Sequence, residues 1–243
     1  MQLCPLSHIS YQLKRSARRQ SLALQVKNGE LWVLAPIGLS QLCIEQFIFA
    51  KKQWVLKHLA VSQPQPVPSY IEQQQLPFLA EKLQLLTVLD SHNAVTRQGQ
   101  QLWVQLSRRV KPQNRALWQQ QLIVQWYQLQ ALDWFQQRVH FWQSQMNVSA
   151  KAVLIGDWQR KWGSCNSKGE ISFNWRLLLA PPWVADYVVV HELAHLRHLD
   201  HSKNFWQMVA QFYPEYARVK QWLRAHQHQL VLVPAQQLLW PSK

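Results

Sequence analysis

Glycine is scarce in this chain, with 6 in 243 residues, and neither a G-x-G-x-x-G nor a G-x-x-x-x-G-K stretch occurs. That argues against a glycine-rich loop cradling nucleotide phosphates. Cysteine is scarcer still. Cys4, Cys43 and Cys165 are an odd number and widely spaced, so they offer no disulfide framework and no C-x-x-C zinc pair. This usage fits a reducing compartment. No uninterrupted apolar run in the sequence approaches the roughly 18 residues needed to span a bilayer. The N-terminus has no apolar signal segment, and Lys14, Arg15, Arg18 and Arg19 follow instead. The expectation is a soluble, cytoplasmic protein with no membrane association.

Acidic residues are also few. Twelve Asp and Glu face 26 Lys and Arg, a formal charge of +14. Such a balance suits nucleic acid, ribosomes or another anionic surface as a partner, or simply a solvated basic surface. No nucleic-acid-binding motif accompanies it. What is abundant is tryptophan, with 14 residues, and hydrophobic residues at 48% place the chain among globular proteins.

The stretch 187–206, YVVVHELAHLRHLDHSKNFW, holds the chemistry. His191-Glu192-Leu193-Ala194-His195 is an H-E-x-x-H motif. On a helix its two histidines lie one turn apart on one face and can grip a single tetrahedral zinc ion. Glu192, beside the first ligand, can take a proton from a zinc-bound water. If the chain turns away after Leu199, His201 returns as a third ligand. His198 is an alternative third ligand, but it lies two turns up the axis from His191, about 10 Å along it. Asp186 and Asp200 are candidates for orienting an imidazole. Cys165 opens a separate reading as a thiol nucleophile, set against a small buried residue in a loop. A basic nucleic-acid- or ribosome-associated module with a structural zinc is the reading outside enzymology.

Periodicity places these residues. Alternating runs predict strands over 9–14, 21–26 and 31–34, with Asn28-Gly29 as a hairpin turn. A helix over 40–59 follows, capped by Ser40, then a connector over 61–69 containing Pro64, Pro66 and Pro68. Strands are expected over 83–89 and 102–106 around Gln98-Gly99, then a long helix over 113–145. Strands over 153–158 and 170–175 flank the loop RKWGSCNSKG, and Pro181-Pro182 primes an active-site helix over 183–199. Two further helices, over 203–212 and 214–226, precede an apolar tail over 231–240 that is expected to pack on the body. No internal repeat is evident. The class is α+β: a β-rich N-terminal region with one helix over 1–110, then a compact catalytic region over 111–243.

KWGSC at 161–165, ISFNWRLLLAP at 171–181 and the 187–206 stretch together resemble the YgjP-like metal-dependent hydrolases. The opening text KRSARRQSLALQV resembles the start of that family as well, so the resemblance covers nearly the whole chain. It implies kinship with SprT-like and WLM metalloproteases and a zincin-like core. It implies a zinc-dependent hydrolase acting on peptide or protein, with His191, His195 and His201 as ligands and Glu192 as general base. It also implies that residues 171–174, including Ile171, Phe173 and Asn174, form a sheet edge lining the cleft, to which an extended substrate adds as a strand. Trp162 and Gly163 belong to the loop beside that edge. Its backbone N–H groups, or Arg160 and Lys161, are the candidates for stabilising an oxyanion. Where a metzincin has glycine three residues after its second histidine, this chain has His198, so a metzincin turn is not supported.

Overall fold

The computed structural model describes residues 2–27, 29–61, 69–158 and 161–232. The turn residue Asn28, the proline-bearing connector over 62–68, Arg160 with its neighbour, and the tail beyond 232 lie outside the described residues. The chain forms two compact units, Met1–Pro66 and Val67–Lys243.

In the first unit, β1 (Gln2–Cys4), β2 (Ile9–Ser16), β3 (Ala23–Lys27) and β4 (Glu30–Pro36) form one sheet in the order β1-β2-β4-β3. Leu31, Val33 and Ala35 alternate inward along β4 and are fully buried, as a period of two requires. The helix expected over 40–59 is two helices, α1 (Gln41–Ala50) and α2 (Lys52–Val61). Lys51 leaves helical geometry between them, at φ −105° and ψ 16°. Ser40 caps α1 by accepting from the Cys43 N–H at 3.3 Å. Ile44, Ile48 and Val55 complete a small core with Tyr11 and Cys4. Part of the basic run 14–19 is structural: Arg15 donates to the carbonyls of Pro36, Ile37 and Leu39.

The second unit opens with β5 (Gln75–Phe78), β6 (Glu81–Asp90), β7 (Ala94–Gln98) and β8 (Gln101–Ser107), in the order β5-β6-β8-β7. This repeats the first sheet. In both, the second and fourth strands are parallel and each outer strand is antiparallel to its neighbour. Both final hairpins turn through a glycine with positive φ, Gly29 at 78° and Gly99 at 57°. Leu-Trp-Val recurs at 31–33 and 102–104, with both leucines and both valines fully buried.

The long helix α3 (Arg115–Met146) follows and ends where Asn147 enters the left-handed region at φ 50°. Its buried face carries Ile123, Trp126, Tyr127, Ala131, Phe135 and Val139, the spacing of one stripe of a 3.6-residue period. That stripe shares a single core with Leu83, Leu85, Leu102 and Val104 of the preceding sheet. The Tyr127 hydroxyl donates to the Pro77 carbonyl at 2.5 Å. Residues 75–107 therefore belong with the catalytic half, and the compact units do not divide at residue 110 as the strand-rich text suggested. The second sheet has its hydrophobic face covered by α3.

The rest of the unit builds the site. Strands β9 (Ala152–Gly156), β10 (Gly163–Cys165) and β11 (Glu170–Asn174) form a three-stranded sheet in the order β10-β11-β9. Then come α4 (Pro182–Ala194), α5 (Lys203–Phe212) and α6 (Tyr216–His226). Nine of the thirteen residues of α4 are buried, so it is a central helix with apolar contacts on all sides. Arg138 of α3 clamps α4 through Asp186, with contacts of 2.6 and 3.0 Å, and the Trp142 indole N–H donates to the same carboxylate at 3.1 Å. No helix among the described residues is long and apolar enough to cross a membrane.

Candidate metal centre

Helix α4 ends five residues sooner than its apolar text suggested, at Ala194. His195 still has helical geometry at φ −65°, so it remains one turn above His191. The chain then tightens: the N–H groups of Leu196 and Arg197 bond to Leu193 and Ala194, three residues back. This early bend returns His201 to the other two. One ligating atom from each of His191, His195 and His201 lies within 4.8 Å of the others. The Nε2 atoms of His191 and His201 face one another at 3.2 Å. Two nitrogens bound at about 2.0 Å to one tetrahedral ion would lie about 3.3 Å apart. The group therefore fits a single cation.

His195 is oriented by the bend itself. Its Nδ1 lies 3.0 Å from the carbonyl of His198, and with the proton there its Nε2 lone pair faces the other imidazoles. His198 contributes this carbonyl, and its imidazole is not in the three-histidine group. Beneath the group lies Phe205 of α5, fully buried, with its ring 4.9, 4.5 and 4.8 Å from the rings of His191, His195 and His201. Trp206 stacks on His201 at 5.7 Å. Motif reasoning misses this aromatic floor. Its signal in the sequence is the spacing of Phe205, Met208, Val209 and Phe212, which faces α5 inward.

The electrostatics favour ligation. Burial, and then His195 and His201, push His191 down to about 3, so it stays neutral with its lone pair available. Burial also lowers His195. Glu192 is 5% exposed, and burial raises its carboxyl to about 8, with Lys161 pulling the other way. Gly163 on β10 lies against it: a Cβ there would sit 2.6 Å from Oε1 and 2.7 Å from Cγ of Glu192. A glycine is required for this approach. Burial and the neighbouring Glu192 raise the Cys165 thiol, which works against a thiolate nucleophile.

The cleft beside the histidines has a volume of about 360 Å³ and is walled by Trp162, Gly163, Tyr187, Glu192 and the face of α6. Strand β11 does not line it. It is the middle strand of its sheet, between β10 and β9, and β10 is the edge strand on the Gly163 side. Ile171, Phe173 and Asn174 are each fully buried and are not among the residues that line this cleft. Phe173 stacks on Phe135 at 4.3 Å in the core. Asn174 instead staples the loop that precedes Gly163, donating from Nδ2 to the carbonyls of Trp158 at 2.7 Å and Lys161 at 3.1 Å. Asp186 is engaged with Arg138 and Trp142, Asp200 accepts from the Ser202 N–H at 3.3 Å, and among the described residues no hydrogen bond joins either to an imidazole.

The sequence matches the family described as YgjP-like, metallopeptidase domain, over residues 20–226. The chain belongs to the YgjP-like family. It is a metal-dependent peptidase by that membership, and peptides or proteins are its class of substrate. No curated protein matches. Among solved structures, the YgjP-like chain is similar to the metallopeptidase zymogen of Pyrococcus abyssi abylysin, at 20% identity and a TM-score of 0.36, over 40% of this chain and 99% of that one.

Proposed function

We propose that His191, His195 and His201 hold a zinc ion and that Glu192 is the general base of peptide hydrolysis. The observation that carries this is the approach of two imidazole Nε2 atoms to 3.2 Å over an aromatic floor, with a buried carboxylate alongside. Three neutral imidazoles leave one tetrahedral position for water or substrate. When bound, zinc supplies an acidified water and a polarised carbonyl. Glu192 takes the proton of the attacking water and carries it to the leaving nitrogen as the C–N bond breaks. Its burial suits that role, because a base held near neutrality can both accept and release a proton. The edge strand β10 offers backbone groups to an extended peptide, and Gly163 leaves room for the Glu192 carboxyl behind it.

The test is metal content and peptide cleavage in parallel. Wild type should purify with stoichiometric zinc and His191→Ala without it. Glu192→Gln should keep the zinc and lose cleavage of a peptide library by about 1,000-fold or more, since it removes the proton acceptor. Full activity in Glu192→Gln, or stoichiometric zinc in His191→Ala, would remove the reading.

A further inference from the structure

The wall of the cleft opposite β10 is cationic. Lys220 and Arg224 are four residues apart on α6 and so project from one face, one turn from each other. Lys161 also lines the cleft, from the β10 side, with its ammonium donating to Ser164 Oγ at 3.2 Å and lying 4.1 Å from the centre of the Trp158 ring, and among the described residues Glu192 is the only acidic one in the lining. None of the three cations is in an ion pair among the described residues. The Lys220 ammonium lies 4.2 Å from the centre of the Trp206 ring, and that ring packs on both His201 and His191. Lys220 is thus held one aromatic layer from the histidines.

This arrangement opposes the metal site it borders. Positive charge beside a cation-binding group weakens cation binding. The last turn of a helix favours cations, which accounts for Arg224. It does not account for Lys161 and Lys220 lining the same hollow. A negative group in the cleft would offset the repulsion and turn it into attraction, since a concave site focuses the field of its charges.

Resting on the peptidase reading above, we infer that Lys220 and Arg224, with Lys161 opposite, select a substrate carrying a carboxylate close to the cleaved bond. That carboxylate has two sources, an Asp or Glu side chain or the free C-terminus of a short peptide.

Matched quenched-fluorescent peptides separate them on the zinc-loaded full chain. One pair exchanges Glu for Gln with the C-terminus amidated; a second pair keeps Gln and exchanges acid for amide at the terminus. Wild type should prefer the charged member of one pair by about ten-fold or more at low salt, and by less at high salt. Which pair shows it identifies the source. Lys220→Gln should shrink the ratio, and Arg224→Glu should bring it to one or invert it. Each ratio is read within a single protein preparation, so a change in folded fraction cancels. Binding of the same peptides to zinc-loaded Glu192→Gln, read by anisotropy, needs no turnover. A charge preference in binding without cleavage by wild type would keep the carboxylate site and remove the peptidase reading. Cleavage with equal rates for all four peptides, or a ratio that neither variant moves, would remove the carboxylate site and keep the peptidase.

Discussion

The α-carbon of Gly163 sits against the carboxylate of Glu192, so close that a methyl group there would fall 2.6 Å from Oε1 and 2.9 Å from Cδ. The contact joins an edge strand to the motif helix and fixes where the proposed base points. Gly163→Ala should therefore displace Glu192 and leave the three imidazoles in place. Cleavage should fall by about 100-fold, the usual cost of moving a catalytic group by an ångström, while zinc content stays at the wild-type level. Wild-type turnover in Gly163→Ala would show that the carboxylate needs no such support.

The same carboxylate sets a pH dependence in the metal-free chain. Its folded value, raised to about 8 by burial, lies above the ordinary 4.5. Its contribution is therefore fully present below about pH 4.5 and is lost as pH rises toward about 8, where the unfolded chain ionises more readily. His191 acts in the opposite sense. Lowered from 6.5 to about 3, it contributes stability above its ordinary value that is lost as pH falls toward 3. Chemical denaturation of the zinc-stripped protein should show a loss on the order of a few kcal/mol as pH rises from about 4.5 to about 8, because each tenfold difference in proton affinity between the folded and unfolded chains is worth about 1.4 kcal/mol. Glu192→Gln should abolish that loss and leave the fall in stability toward pH 3. An unchanged slope over the same window in the variant would exclude Glu192 as its source.

The two histidines after the motif should behave differently. His201 directs Nε2 at His191, whereas His198 offers its backbone carbonyl to His195. His201→Ala should weaken zinc binding by more than about 100-fold, beyond what loss of an outer partner costs. His198→Ala keeps the carbonyl and should bind zinc within a few-fold of wild type. Competition with a chromophoric chelator measures both. Reversal of the order would make His198 the third ligand.

These residues are legible in the sequence because their geometry is local. His191 and His195 are one helical turn apart, and that spacing survives wherever the helix is packed. The end of the helix is not legible. Leu196, Arg197 and His198 carry no glycine or proline stop signal, and the bend that ends α4 is made by backbone hydrogen bonds. Sheet order is likewise a tertiary outcome. EISFN suits a strand, but only the pairing of β11 on both sides makes it central and buries Phe173 and Asn174. An unbroken apolar run is the mark such a strand usually leaves, and polar Ser172 and Asn174 obscure it here. The repeated sheet is hidden for a different reason. Its sequence trace is little more than Leu-Trp-Val with two inward positions, while the shared β-strand order carries the likeness. The membership of 75–107 in the catalytic core follows from α3, whose apolar stripe is long enough to cover that sheet and α4 together.

The clamp between α3 and α4 is structural, and its removal should separate folding from metal binding. Asp186 accepts from Arg138 at two points and from the Trp142 indole, and its side chain is 16% exposed. In Asp186→Ala both donors lose their acceptor, and a half-buried guanidinium is left unpaired. Stability should fall by about 2 kcal/mol, less than for a fully buried pair because water reaches Arg138. Arg138→Ala should cost less than Asp186→Ala, since the carboxylate keeps the Trp142 N–H. The double variant should cost less than the sum of the two, because the members share one network. Zinc affinity should stay within a few-fold of wild type in all three, because among the described residues no hydrogen bond joins Asp186 to an imidazole. Denaturant midpoints and chelator competition on the same preparations decide it. A hundred-fold loss of zinc affinity in Asp186→Ala, with its stability unchanged, would return Asp186 to the outer shell of the metal centre.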